Sequence, residues 1–228
     1  MAIRTLTPIE ARVLGTLMEK ARTVPDSYPL SLNALVLGCN QKTSRDPLME
    51  ISDDEARTAI DSLKVQSLVF EGSSSRVPRF EHNFQRGAGV TEPQAVVMGL
   101  LILRGPQTPA ELRTNGERWY KFADASVVEA VLQALQQRGD DGGQPTVQKL
   151  PRTPGAREQR WVHLLCGEPD LTALMANAPA AAESSDLLAR VTALENAVAR
   201  LKADNTQLRE HILNISEQLG IALPPSAD

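Results

Sequence analysis

The sequence predicts a mainly helical α+β chain with small β-hairpins, built as two similar halves and closed by one long amphipathic helix. Three observations carry this. A capping-box signal opens a helix at Thr7-Pro8-Ile9-Glu10, and a matching one stands at Thr91-Glu92-Pro93-Gln94. Ala11, Val13, Gly15 and Leu17 recur at one constant offset as Ala95, Val97, Gly99 and Leu101, and Arg79-Phe80-Glu81-His82 recurs as Arg160-Trp161-Val162-His163. From Leu187 to Leu219 the apolar residues are spaced alternately by four and three.

In the first half, Ile9, Val13, Leu14, Leu17 and Met18 form one apolar helical stripe, which the segment TVPDSYPL interrupts. A second helix starts from Ser31, with Leu32, Leu35 and Val36 apolar. A third starts at Ser52, where Glu55 completes a capping box, and carries Ile60 and Leu63. Leu68 to Glu71 and Arg79 to Phe84 read as two strands around a polar loop. Three helices and then a hairpin is the order of a winged helix, so residues 1–86 are expected to form one such domain. In the second half, 87–166, the middle helix falls at Thr108 to Arg113 and the third at about Asp124 to Arg138. That third helix places Leu132 and Leu135 where Ile60 and Leu63 stood, and its hairpin loop, LPRTPGAREQR, is longer. Residues 167–186 are rich in Ala and Pro and read as a linker.

The tail, 187–219, reads as a coiled coil, with 220–228 as a disordered end. Its a positions are Val191, Val198, Asn205, Ile212 and Leu219, and its d positions are Leu187, Leu194, Leu201, Leu208 and Ile215. Mostly β-branched a and mostly Leu d favour two parallel strands, and a single Asn at a sets register. In a parallel dimer Arg190 faces Glu195 of the other strand, and Asp204 faces Arg209. The plainer alternative is an amphipathic helix folded back onto the body.

The stretches YPLSLNALVLGCNQKTSRDP, RGPQTPAELR and LPRTPGAREQRWVHL, followed by Gly167, resemble those of the YceH-like group of uncharacterised bacterial proteins. The resemblance runs from about Leu6 through the tail. It implies tandem winged helices in a cytoplasmic bacterial protein and no established activity, so function has to come from sites.

With 228 residues and a net charge of −4, the chain lacks the overall basicity of a protein that coats nucleic acid. Two cysteines, Cys39 and Cys166, make no disulfide framework. No signal-peptide pattern and no apolar run of about 20 residues is present, so a cytoplasmic protein is expected. A winged helix usually reads DNA with its third helix. Here that helix opens Ser52-Asp53-Asp54-Glu55, which suits the helix dipole but repels phosphate, and its counterpart has no cation before Arg138. The basic side chains lie in loops instead. One set is the joint between the second and third helices, with Lys42, Thr43, Ser44 and Arg45; the others are Arg76 and Arg79 in the first wing, and Lys149, Arg152, Arg157 and Arg160 in the second. These are the candidate phosphate contacts. For the joint, a second reading stands beside this one, in which its polar side chains satisfy the backbone of a long ordered connection.

His163 and Cys166 fall on opposite faces of a strand, no spacing matches a zinc site, and neither a Gly-rich phosphate loop nor a nucleophile elbow is present. No cofactor, metal or catalytic residue is therefore expected. The expectation is a cytoplasmic homodimer, dimerised by Leu187, Val191, Leu194, Val198, Leu201, Asn205, Leu208, Ile212, Ile215 and Leu219. It is expected to bind double-stranded DNA through loops and wings in transcription regulation. The rival is an adaptor whose winged helices bind a protein partner.

Overall fold

Helix starts in this chain are written into four-residue windows, and the computed structural model realises them. It describes residues 4–72, 77–138, 146–152 and 158–171, together with residues 198, 200–202, 204–206 and 208. Helix α1 (Pro8–Thr23) opens with Glu10 N–H donating to Thr7 Oγ1 at 3.2 Å and Thr7 N–H donating to Glu10 Oε2 at 2.7 Å. A 3₁₀ turn (Pro25–Ser27) and the short strand β1 (Leu30–Ser31) follow. Ser31 caps α2 (Leu32–Cys39), and Ser52 with Glu55 caps α3 (Asp53–Val65). Strands β2 (Val69–Gly72) and β3 (Arg79–His82) pair antiparallel, and β1 adds to the other edge of β3 to give the order β1-β3-β2.

The second half repeats this order. After the short helix α4 (Phe84–Ala88) comes α5 (Glu92–Arg104), where Thr91 N–H donates to the Gln94 side chain at 2.9 Å. Thr108 and Glu111 form a capping box on α6 (Pro109–Asn115), and Asp124 caps α7 (Ala125–Gln137). Strands β4 (Val147–Lys149) and β5 (Trp161–His163) form a two-stranded antiparallel sheet. The repeat extends to single residues. Leu30, just before the α2 cap, pairs with Phe80; Gln107, just before the α6 cap, pairs with Trp161.

Two features depart from the sequence reading. The strand expected to run to Phe84 ends at His82, because Asn83 leaves the extended region (φ −123, ψ 30) and Phe84 and Ala88 turn inward on the one-turn helix α4. Strand β1 is also additional. Its two residues are too few to show an alternation, and only the β3 edge makes them a strand.

The two halves share one continuous core, with α1 packed on α5. The helices approach closely because each carries glycine at the same point of the repeat. A Cβ on Gly15 would stand 2.7 Å from Ile102 Cγ2. One on Gly99 would stand 2.7 Å from Trp119 Cζ3 and 3.2 Å from Met18 Cε. Trp119, Tyr120 and Phe122 pack on this core. The described residues up to Leu171 belong to this unit, and those from Val198 onward belong to a second, in which they are helical. Among the described residues, no helix is long and apolar enough to cross a membrane.

Candidate nucleic-acid interface

The joint between α2 and α3 is held from inside. Helix α1 carries Arg12, Thr16 and Glu19 on one stripe, at i, i+4 and i+7, and all three meet the joint. Arg12 is 2 % exposed and donates to the carbonyls of Cys39 and Pro47. Cys39 Sγ donates to Thr16 Oγ1 at 3.5 Å. Glu19 takes the guanidinium of Arg45, at 2.6 Å from Nη2 to Oε2 and 3.3 Å from Nη1 to Oε1. Arg45 also donates to the carbonyls of Gly38 and Ser44 and to Gln41 Oε1. Asn40 closes the loop by holding both backbone groups of Ile51 at 2.8 Å. Burial pushes the Glu19 carboxyl up, but hydrogen bonds and charge from Arg45 outweigh it and hold it below the usual range. Burial, and then repulsion from Arg45, pull the Arg12 guanidinium below its usual value. The joint therefore behaves as an ordered connection whose polar side chains satisfy its own backbone.

This decides what each candidate phosphate contact is free to do. Arg45, with 6 % exposure and every donor group engaged, faces the interior. Ser44 is half-buried at φ 62, and its hydroxyl accepts from Arg104 at 2.7 Å. Arg160 is half-buried, donating to Pro106 O at 3.0 Å and Glu111 Oε1 at 2.8 Å. Arg79 is exposed but donates to Pro29 O at 2.8 Å. Lys149 is paired to Glu129 at 2.7 Å and lies 5.2 Å from the centre of the Trp161 ring. Lys42, Thr43 and Arg152 are exposed and unpaired among the described residues. Arg76 and Arg157 lie outside the described residues. The structure brings Ser44, Arg45 and Arg160 to one cleft but gathers no solvent-facing cluster of cations from the described candidates.

The outer faces of the third helices are solvent-facing and contrast with this. On α3, Asp53, Asp54, Glu55 and Asp61 are exposed, with Arg57 as the exposed cation among them, while Lys64 pairs with Glu71. On α7, Ser126, Val127, Ala130, Gln133, Ala134 and Gln137 are exposed and carry no charge, and Val127 is 40 % exposed. In the tail, Val198, Leu201 and Leu208 are 50, 67 and 60 % exposed on the helical face that also holds Asn205. Leu187, Val191, Leu194, Ile212, Ile215 and Leu219 lie outside the described residues.

The sequence reading passed over Arg12 and Glu19. The available signal was their spacing with Thr16, a second, polar stripe on a helix whose neighbouring stripe is core. Both cysteines sit where burial disfavours the thiolate. Burial raises Cys39, and it pushes Cys166 up to about 11. Among the described residues no group of three or more His, Cys, Asp or Glu is placed to hold a metal.

A family described as "Protein of unknown function, DUF480" matches residues 6–156. The chain is 84 % identical over 228 residues to a "UPF0502 protein" of Polaromonas sp. (strain JS666), covering 100 % of this chain and 97 % of that one. It is 57 % identical over 219 residues to a "UPF0502 protein" of Delftia acidovorans, covering 96 % and 94 %. A "UPF0502 protein" of Burkholderia lata is 51 % identical over 227 residues, covering 100 % and 94 %.

Proposed function

The chain belongs to the DUF480/UPF0502 family of uncharacterised bacterial proteins, the YceH-like group, and from that premise we propose that it is a non-catalytic protein-binding adaptor. In this reading each half is a winged helix, the tail is a parallel coiled coil that makes a cytoplasmic homodimer, and the third helices dock a protein partner. The observation that supports it best is the inversion of charge. Most described basic side chains of the joint and wings bond to the protein itself, while the third-helix faces offered to solvent are acidic on α3 and uncharged on α7. Phosphate binding needs free donors at the surface, and an acidic or uncharged helical face offers few. DNA binding through Lys42, Arg152 and the second wing is the rival.

The test is retardation of a random duplex of ~30 base pairs by the full chain at low salt, where phosphate contacts are strongest. The adaptor reading expects no retardation by wild type and none gained on changing Lys42 or Arg152. It also expects a photo-crosslinker at Asp54 or Val127 to give one discrete protein adduct in bacterial cells, lost on Asp53→Lys or Ala130→Arg respectively. Duplex binding that weakens on Arg152→Ala overturns it in favour of the rival.

A further inference from the structure

The joint also closes against the second half of the unit. Asp46 N–H donates to Leu103 O at 2.8 Å, and Arg104 Nη2 donates to Ser44 Oγ at 2.7 Å. Beside these contacts lies a cleft of about 280 Å³, walled by Ser44 and Asp46 of the joint and by Arg104, Gln107, Asn115 and Arg160 of the second half. Its floor is rigid. Gln107, 4 % exposed, donates to Leu100 O at 3.1 Å and accepts from Asn115 Nδ2 at 2.8 Å.

Most charges around the cleft are settled. Arg45 is held by Glu19, and Arg160 by Glu111. Two are left over. Arg104 is half-buried and hydrogen-bonds only neutral oxygens, Asn115 Oδ1 at 2.9 Å and Ser44 Oγ, and makes no ion pair among the described residues. Burial pulls its guanidinium below the usual value, and nearby Arg45 adds to the effect against a pull from Glu19 in the other direction. Asp46 is exposed, and among the described residues its carboxylate accepts no hydrogen bond and forms no ion pair. The two opposite charges line one cleft without pairing to each other.

We propose that this cleft binds a small zwitterion of the α-amino-acid type, its carboxylate on Arg104 and its ammonium on Asp46. The planar guanidinium matches a carboxylate, and a carboxylate accepts well from an ammonium. The volume lies just below the range of drug-sized sites, roughly 300–1,000 Å³, which suits a compact ligand. A phosphate dianion is disfavoured, since the Asp46 and Glu111 carboxylates stand in the same walls. The ligand touches the joint on one side and α5, α6 and Arg160, just before β5, on the other, so it ties the two halves together. The proposal does not depend on the adaptor reading.

The test is isothermal calorimetry on the full chain, with the twenty protein amino acids as probes beside inorganic phosphate. At least one amino acid is expected to bind in the millimolar range or tighter. Asp46→Asn is isosteric and exposed, so it should leave the thermal melt unchanged while weakening that amino acid by ~10-fold or more. The same acid without its amino group should bind Asp46→Asn no more weakly than wild type. Arg104→Gln should weaken both ligands. Failure of every amino acid to bind at millimolar concentration overturns the proposal, as does affinity indifferent to Asp46→Asn or phosphate binding tighter than any amino acid.

Discussion

Two histidines at matching points of the repeat, His82 and His163, are half-buried and held as neutral imidazoles, and should make stability fall on mild acidification. His82 lies edge-on to Tyr28, with ring centres 6.3 Å apart, and its Nδ1 accepts from Phe84 N–H at 3.4 Å. His163 Nδ1 is buried without a hydrogen-bond partner among the described residues. Burial pushes both down from 6.5 to about 4, with Arg22 adding to the effect at His82. A folded pKa below the unfolded one means that the unfolded chain takes up the proton first. The stability is therefore complete above pH 6.5 and is lost as pH falls from 6.5 towards 4. Two and a half units of depression amount to about 2 kcal/mol per histidine at pH 5, and ~4 kcal/mol for the pair. Carboxylates such as Glu19 titrate in the unfolded chain only near ~4.3, so the interval from pH 7 to pH 5 reports mainly the histidines. Urea unfolding of the full chain at steps across that interval measures the loss. In His163→Met the drop should shrink by about 2 kcal/mol, because one titrating group is gone. A folded-state resonance of His82 or His163 titrating near 6.5, or a wild-type unfolding free energy that is flat across the interval, refutes the reasoning.

Breaking the Arg45–Glu19 pair by Arg45→Met should destabilise by about 3 kcal/mol in urea unfolding, since it leaves Glu19 with little exposure and only Lys20, at 3.1 Å, as a cation, while Lys42→Ala should change stability by less than ~0.5 kcal/mol. Gly15→Ala should cost ~1–3 kcal/mol by thermal or urea unfolding, as the added methyl meets Ile102 and Leu103 between α1 and α5. A chain ending at Ala182 should sediment as a monomer where the full chain is a dimer, and Asn205→Ile should raise the melting temperature while mixing oligomeric states; a dimeric truncation would move the interface elsewhere. Changing Arg152 to Ala should leave the electrophoretic mobility of duplex mixed with the protein at low salt unaltered, since no DNA complex is expected.

Much of the fold is legible in the sequence because the signals are local. A capping box joins two residues three apart, so Thr7 with Glu10, Ser52 with Glu55 and Thr91 with Gln94 mark helix starts with no knowledge of the rest of the chain. The repeat is legible for a related reason: matching glycines and the RFEH and RWVH strands keep their order in both halves because each half solves the same packing problem. The fate of the polar joint was not legible. Arg45, read as a phosphate donor, finds its acceptor on Glu19, 26 residues away, and Ser44 accepts from Arg104, 60 residues away. An arginine in a loop looks the same in sequence whether its guanidinium faces solvent or a carboxylate brought to it by a distant helix. Only burial distinguishes the two, and burial exists once α1, the joint and α5 have packed together. Strand β1 depends on the same step, for Leu30 and Ser31 become a strand when β3, some fifty residues later in the chain, supplies the edge they pair with.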